Sequence, residues 1–192
     1  MRPVFGITGG TGCGKTTVLS VLEKLGFTTI DCDALYHQML AEGGALVDKI
    51  GEMFPGTVHN GVLQRKKLGS IVFADPKALE RLSAVTDRAV DQRVEALIAA
   101  APGPVAVDAI RLFESGLAAR CSCTIAVTAP AEVRVRRLMA REGISEDYAR
   151  LRIDAQPDDG VFADLADVVL VNDFPTRAEF EAYCRDKLQK LL

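Results

Sequence analysis

The sequence predicts an α/β fold in which helices cover both faces of a five-stranded parallel sheet. Short runs of apolar and β-branched residues alternate with helical segments, and this alternation is typical of a parallel sheet that is buried on both sides. A second observation is that a glycine-rich turn joins the first strand directly to an amphipathic helix. The predicted strands lie at residues 4–7, 28–30, 105–108, 122–128 and 168–172.

The predicted helices follow these strands in order. Apolar residues at positions 18, 21, 22 and 25 predict the first helix, and two shorter ones are predicted at about 34–42 and 45–54. Pro76 opens a long helix to about Ala101, because eight apolar residues follow a 3.6-residue period there. Turn residues separate these elements, and a last helix is predicted from Arg177 to Leu191.

Size and composition limit the possible functions. The 192 residues suit one domain with a small inserted subdomain, and 26% charged with 48% hydrophobic residues is typical of a globular protein. A net charge of −3 gives no general reason to bind nucleic acid or an anionic membrane. No uncharged apolar stretch reaches about 18 residues, so no transmembrane helix is expected. Five cysteines without Cys-x-x-Cys pairing, and no signal peptide, favour a cytoplasmic protein.

Residues 9–16, called the phosphate loop below, have the phosphate-binding spacing G-x-x-x-x-G-K-[ST]. Glycine suits such a loop because backbone N–H groups approach a triphosphate only where no side chain blocks them and φ can be positive. The next helix would direct its positive end at the phosphates. We expect Lys15 to bridge the β- and γ-phosphates and the Thr16 hydroxyl to bind Mg²⁺. The predicted nucleotide-binding residues here are Thr11, Gly12, Cys13, Gly14, Lys15, Thr16 and Thr17.

Two carboxylates follow predicted strands and are candidates for chemistry. Asp108 ends the strand at 105–108, where it could hold Mg²⁺ through water or cap the next turn; we favour the metal role. Asp33 follows the second strand, where a carboxylate can accept a hydrogen bond from an acceptor hydroxyl and take its proton. Either Asp31 or Asp33 could instead cap the following helix, and the sequence leaves this division open.

An arginine-rich helical section follows the strand at 122–128. Because transfer of a phosphoryl group depends on neutralising charge on its oxygens, we expect Arg137 and Arg141 to face the nucleotide. Arg136 and Arg152 are expected on a solvated face, and Gly143 is expected to separate two helices that close as a flap. The arginines of the section are Arg134, Arg136, Arg137, Arg141, Arg150 and Arg152.

The motifs, in their order and spacing, resemble those of dephospho-CoA kinases. The matching segments are residues 6–16, 30–33, 112–114, 137–143 and 166–172, together with His37 and Gln156. The resemblance implies a three-layer α/β/α P-loop NTPase fold with a helical acceptor-side subdomain and an arginine-rich lid. It also implies Mg²⁺- and ATP-dependent phosphorylation of the ribose 3′-hydroxyl of dephospho-CoA, the last step of coenzyme A synthesis.

The resemblance also implies roles for individual residues and regions. Asp33 matches the family's proposed base, Lys15 and Thr16 match ATP-binding residues, and Arg141 matches a lid arginine. The acceptor-binding candidates are Asp33, His37, Glu114 and Gln156. The implied regions are a core at about 1–33, 104–132 and 166–192, a CoA-side subdomain at about 34–103 and a lid at about 133–165. The oligomeric state stays open.

The chain departs from the family pattern in two acceptor-side segments, Thr86-Asp87-Arg88 and Ala109-Ile110-Arg111. Another small-molecule kinase, acting on a nucleoside or a nucleoside monophosphate, is therefore the main alternative. A GTP-dependent switch is disfavoured because no Asn-Lys-x-Asp segment occurs. An inactive nucleotide-binding subunit is disfavoured because Lys15, Thr16 and Asp33 are all present.

Cys13 stands in the phosphate loop where the family commonly has serine. A thiol at a helix N-terminus can have a lowered pKa and can be oxidised. We expect an adduct or disulfide at this thiol to block ATP binding, and the sequence leaves the redox sensitivity of Cys13 open.

Overall fold

The structure is a computed structural model that describes residues 2–192. Its elements are, in chain order, β1 (Val4–Thr8), α1 (Lys15–Lys24), β2 (Thr28–Asp31), α2 (Cys32–Glu42), α3 (Ala45–Met53), β3 (Val58–His59), β4 (Val62–Leu63), α4 (Arg65–Val72), α5 (Pro76–Ala100), β5 (Val105–Asp108), a 3₁₀ helix (Leu117–Arg120), β6 (Cys123–Thr128), α6 (Ala131–Glu142), α7 (Glu146–Asp154), α8 (Asp159–Leu165), β7 (Val168–Val171) and α9 (Arg177–Gln189). The chain forms two compact units, one of residues 2–30 and Ala101–Leu192 and one of Asp31–Ala100.

The first unit is built on a parallel sheet with the strand order β2-β5-β1-β6-β7. Strand β1 lies in the middle, and Ile7 pairs with Asp108 of β5 on one side and with Ile125 of β6 on the other. The chain reaches β1 first and adds strands on both sides, so the loop after β1 lies at the centre of the carboxyl edge. Ligands bind at this edge in open α/β sheets.

Helices cover both faces of this sheet. On one face α1 and α9 pack against the strands through buried side chains such as Val21, Leu22 and Phe180. On the other face Gly6 gives room to Leu112 and Cys121, because a Cβ at position 6 would lie 2.8 Å from both. Helices α6 and α7 pack together through Val135, Leu138 and Ala149. The three-layer α/β/α fold with five parallel strands that the sequence predicts is confirmed.

Asp167, part of a segment that resembles the family, fixes the start of β7 against β6. Its carboxylate accepts hydrogen bonds from the Thr124 hydroxyl and the Thr124 N–H, both at 2.7 Å, and its own N–H donates to Thr124 Oγ1. These bonds, the one from the hydroxyl first, lower the pKa of the Asp167 carboxyl. Asp167 therefore sets strand register at the amino edge of the sheet, opposite the phosphate loop.

The second unit is helical, with α2, α3, α4 and α5 around a core of its own. The core includes Val47, Ile50, Phe54, Val72 and Leu82. The region predicted as a turn-rich connection also contains the short antiparallel pair β3 and β4. The sequence did not predict this pair because runs of two residues carry no periodicity. None of the described helices combines the length and apolar character that a membrane span needs.

Candidate active site

The phosphate loop joins β1 to α1 with a backbone that depends on glycine. Gly9, Gly12 and Gly14 have φ values of 134°, 80° and 106°, in a region that other residues rarely adopt. Gly14 is the N-cap of α1 and has no side chain with which to cap the helix. The N–H groups of the first turn are thus left to an anion from outside the helix.

Lys15 extends from the first helical position back over the loop. Its ammonium donates a hydrogen bond of 2.8 Å to the Gly9 carbonyl. This places the positive charge across the loop, on the side where a triphosphate would be wrapped. A lysine acts here as a movable point charge, since its ammonium carries three donors and can exchange a carbonyl for a phosphate oxygen.

The middle of the loop is bound from α6 by Arg137 and from the end of β7 by Asn172. Arg137 donates to the carbonyls of Gly12 (3.3 Å) and Cys13 (3.4 Å) and to Asn172 Oδ1 (3.0 Å). Asn172 is buried and donates to the Cys13 carbonyl at 2.7 Å. A Cβ on Gly14 would lie 2.3 Å from Asn172 Nδ2, so glycine is also required for this contact.

Arg134 binds the first half of the loop. Its Nε donates to the Thr11 carbonyl at 2.8 Å, and its Nη1 forms an ion pair with Asp159 at 2.8 Å. The Thr11 N–H donates to Gln156 Oε1 at 2.7 Å. Gln156, which the resemblance assigns to the acceptor, thus contacts the phosphate loop in this structure.

These hydrogen bonds engage the carbonyl oxygens of the phosphate loop. Carbonyls of Gly9, Thr11, Gly12 and Cys13 are held by donors from Lys15, Arg134, Arg137 and Asn172. Because its carbonyl oxygens are engaged by cations and an amide, the loop presents less negative potential to an incoming phosphate. The arrangement therefore favours an anion held by backbone N–H groups.

The oxygen ligands expected for Mg²⁺ lie on two neighbouring elements. Asp108 ends β5 beside Ile7 of β1, and Thr16 lies in the first turn of α1. No group of three or more His, Cys, Asp and Glu side chains that could hold a metal occurs within residues 2–192. A hydroxyl and one carboxylate fit Mg²⁺, which keeps several waters and takes its remaining ligands from substrate phosphates.

In the second unit the structure assigns the cap of α2 to Asp31. The Asp31 carboxylate accepts a hydrogen bond of 2.9 Å from the Ala34 N–H. Asp33 lies in the first helical turn with an exposed side chain, and His37 lies one turn later, also exposed. Residues four apart share a face of a helix, so these two side chains are neighbours on α2.

The remaining candidates have exposed positions in the first unit. Arg141 lies in the last turn of α6, its side chain 58% exposed, and pairs with Glu142 at 2.5 Å. Arg152 pairs with the same Glu142. Glu114 lies exposed in the turn after β5. Among these, the described contacts include none with the phosphate loop, in contrast to Arg137.

Three residues of the site were not singled out from the sequence, namely Arg134, Asp159 and Asn172. Arg134 and Arg137 are three positions apart, which places both on one face of α6 and was the available signal. Asn172 directly follows a strand at the carboxyl edge, a position that often carries ligand contacts. Asp159 had no local signal, because its partner is 25 positions away.

Two adjoining cavities lie beside the loop. One has a volume of about 580 Å³ and includes Arg137, Asp173 and Phe174 in its lining. The other, about 230 Å³, shares Arg137 and Phe174 with the first and reaches Gly14 and Thr17 of the loop and helix. An aromatic ring and a guanidinium plane are surfaces on which a flat heterocycle can stack.

The comparison with known families agrees with this geometry. The family model described as dephospho-CoA kinase matches residues 3–177. The chain belongs to the dephospho-CoA kinase family. It is a phosphotransferase of this family, and its reaction is the ATP-dependent phosphorylation of dephospho-CoA; the alternative of a nucleoside or nucleoside monophosphate kinase is not favoured.

The similarity to individual relatives extends over most of both chains. The dephospho-CoA kinase of Deinococcus radiodurans is 36% identical over 91% of this chain and 86% of its own, and that of Novosphingobium aromaticivorans is 37% identical over 82% and 80%. A Thermus thermophilus protein of known structure is 32% identical with a TM-score of 0.81 over the whole of both chains. The dephospho-CoA kinase from Campylobacter jejuni is 26% identical with a TM-score of 0.69 over 100% and 98%. A shikimate kinase from Bacteroides thetaiotaomicron shares the fold.

The pKa of Cys13 is raised and not lowered, although the thiol lies at a helix N-terminus. The Cys13 side chain is fully buried, and this burial raises the pKa of its thiol to about 11. Arg134 and Lys15 lower that pKa, but desolvation of the thiolate is the larger effect. The helix N-terminus therefore does not activate this thiol, because water cannot reach it.

We expect Cys13 to be alkylated slowly in the folded protein. At pH 8 a pKa of about 11 instead of 9.0 reduces the thiolate fraction about a hundredfold, and the rate of iodoacetamide labelling should rise as pH rises toward 11. Peptide-resolved mass spectrometry measures the rate, with the urea-unfolded chain as control. Labelling of Cys13 at equal rates in the folded and unfolded chains would contradict the prediction.

Proposed function

We propose that the phosphate loop holds the triphosphate of ATP and that the γ-phosphoryl group passes from it to the ribose 3′-hydroxyl of dephospho-CoA. The observation that carries this proposal is the binding of the loop carbonyls by Lys15, Arg134, Arg137 and Asn172. It supports an anion site at the N-terminus of α1.

Lys15 is the residue that responds directly to ATP. Its ammonium leaves the Gly9 carbonyl and contacts the β- and γ-phosphate oxygens, where it neutralises charge that develops during transfer. The N–H groups of loop residues 11–14 and of residues 15–17 in the first turn of α1 bind the phosphate oxygens.

The adenosine part of ATP is proposed to occupy the adjoining cavities. Arg137 and Phe174 line both cavities, and Gly14 connects the smaller one to the loop. Arg137 already bonds the loop carbonyls, so its guanidinium is held at the junction between the phosphates and the base. Burial lowers the pKa of this guanidinium. An arginine nevertheless stays protonated in proteins, so Arg137 keeps its charge at neutral pH.

Mg²⁺ is proposed as the metal of the reaction, with Thr16 as a direct ligand and Asp108 as a ligand through water. The bound ion would neutralise the β- and γ-phosphates of ATP. Thr16 provides a hydroxyl oxygen at the start of α1, and Asp108 provides a carboxylate beside Ile7 at the carboxyl edge.

On the acceptor side we propose Asp33 as the base that orients the 3′-hydroxyl and takes its proton. Asp31 is engaged in the helix cap, so Asp33 is the carboxylate of the pair that is left for the substrate. His37 and Glu114 are proposed acceptor contacts, and Arg141 is proposed to reach the phosphates when the lid at about 133–165 closes. Gln156 is assigned to the donor side instead, because it binds Thr11.

The protein is further proposed to work in the cytoplasm and without nucleic acid. All five cysteines are free thiols, in keeping with a reducing compartment, and the net charge is −3.

A coupled ADP-release assay tests the proposed reaction. With ATP and Mg²⁺ we expect turnover of dephospho-CoA and at most about 1% of that rate with nucleosides or nucleoside monophosphates, since these smaller acceptors lack the pantetheine part of dephospho-CoA and any contacts made to it. Chelation by EDTA should remove the activity, and added Mg²⁺ should restore it. Phosphorylation of nucleosides but not of dephospho-CoA would overturn the proposal.

A further inference from the structure

Arg134 is a buried cation to which the reaction above gives no contact with either substrate. Its side chain is 5% exposed, and it lies directly on the phosphate loop. A Cβ on Gly10 would come within 2.2 Å of Arg134 Nη2, and one on Gly12 within 3.1 Å of the Arg134 carbonyl oxygen. A side chain at position 10 would displace the Arg134 guanidinium, and one at position 12 would press against the Arg134 backbone.

The hydrogen bonds of Arg134 converge on one loop residue. Nε donates to the Thr11 carbonyl at 2.8 Å, and Nη2 lies 3.4 Å from Gln156 Oε1. The same Gln156 oxygen accepts the Thr11 N–H at 2.7 Å. Both backbone groups of Thr11 are thus held by partners that also bind each other.

Asp159, at the start of α8, holds Arg134 in this place. Its Oδ1 pairs with Arg134 Nη1 at 2.8 Å, and its Oδ2 accepts the Ala129 N–H at 3.1 Å. The carboxylate is thus tied to the end of β6 as well as to the guanidinium. The chain of contacts runs from the sheet through Asp159 and Arg134 to the loop.

The Arg134 end of this ion pair is buried and the Asp159 end is partly exposed. Such a pair is a poor way to gain stability, because desolvation offsets much of the attraction. The ion pair fixes the geometry of the loop contact instead, because the planar guanidinium presents donors at fixed angles to both Thr11 and Asp159. A loop with glycine at four of its first six positions needs such fixing, since glycine leaves the backbone free in the unbound state.

We propose that Arg134 is a positioning residue for ATP: held by Asp159, it fixes Thr11 so that the loop is preformed for the triphosphate. It does not touch the reacting atoms. The inference rests on the proposed function, since it takes the phosphate loop as the ATP site. Loss of Arg134 should therefore weaken the binding of ATP and leave the binding of dephospho-CoA unchanged.

The test compares Arg134→Met with Arg150→Met, which removes exposed ion pairs to Glu132 and Glu146 without reaching the loop. We expect Arg134→Met to raise the Kd and KM for ATP about tenfold or more, which corresponds to about 1.4 kcal/mol of binding free energy. The KM for dephospho-CoA should stay within about twofold of the parent value, as should every constant of Arg150→Met.

The double variant Arg134→Met, Asp159→Leu separates positioning from stability. It removes the carboxylate that Arg134→Met leaves without its cation, so part of the lost Tm should return; the recovery stays incomplete because the Ala129 N–H loses its acceptor. Its ATP KM should stay raised, because Thr11 still lacks its donor. A parent-like ATP KM in a folded Arg134 variant, or a parallel rise in both substrate KM values, would overturn the inference. A parent protein that binds no ATP would instead overturn the proposed function.

Discussion

Lys15→Ala is expected to reduce kcat/KM for ATP by about 10³-fold or more. The ammonium is the one side-chain cation that α1 places at the loop, where it lies 2.8 Å from the Gly9 carbonyl. Removing it would leave the β- and γ-phosphates to backbone N–H groups, the proposed metal and the proposed lid arginine Arg141. A preorganised charge at the transferring group contributes about 10²–10³ in kcat, and binding of the triphosphate adds to this loss.

Steady-state kinetics and calorimetric ATP binding measure the two parts of this effect. Lys24→Ala is the matched control, since Lys24 lies in the last turn of the same helix and forms an exposed pair with Glu181. It should change both constants less than about twofold. If Lys15→Ala retained half of the parent kcat, the loop could not be the site of phosphoryl transfer.

Asp33→Asn is expected to reduce kcat by about 10²–10⁴-fold while ATP affinity stays nearly unchanged. The amide keeps the size of the carboxylate but cannot take a proton, so the acceptor hydroxyl loses its base. ATP binding should persist because the proposed triphosphate contacts are residues of the phosphate loop and α1, which belong to the other unit. Rapid-quench turnover and ATP titration measure the two quantities separately.

Asp31→Ala is the control for this variant, since Asp31 bears the neighbouring carboxylate and serves as the cap of α2. Its loss should lower the free energy of unfolding by about 1 kcal/mol and leave kcat within a few-fold of the parent. Equal kcat for Asp33→Asn and the parent would remove Asp33 from the chemistry. A large loss of kcat in Asp31→Ala alone would exchange the two roles.

The phosphate loop and the alternation of strands and helices around it could be predicted because their signals are local. Glycine spacing specifies where φ must be positive, and Gly9, Gly12 and Gly14 have positive φ. The parallel sheet followed from short apolar runs separated by helices, which admit few other arrangements. Gly143 ends α6 in the left-handed conformation and Ser145 caps α7, as their residue types predict.

The ranking of the arginines could not be predicted, because three of them share one face of a single helix. Arg134 is buried against the loop, Arg137 is partly buried beside it, and Arg141 is exposed and paired with Glu142. Burial of these three side chains thus falls along α6 from Arg134 to Arg141. Their shared spacing does not encode this order, because it depends on which turns of α6 the loop contacts.

The sequence by itself therefore determined which chemistry the chain carries: a loop for phosphates, a lysine for their charge and a strand–helix order that places both at a sheet edge. Tertiary structure alone decided how the loop is held. Asp159 forms an ion pair with Arg134, and Asn172 donates a hydrogen bond to the Cys13 carbonyl. Tertiary structure also decided that the Cys13 thiol is buried, with its pKa raised to about 11. The physical reason is range: backbone conformation and periodicity are set by near neighbours, whereas burial and ion pairs join residues far apart in the chain.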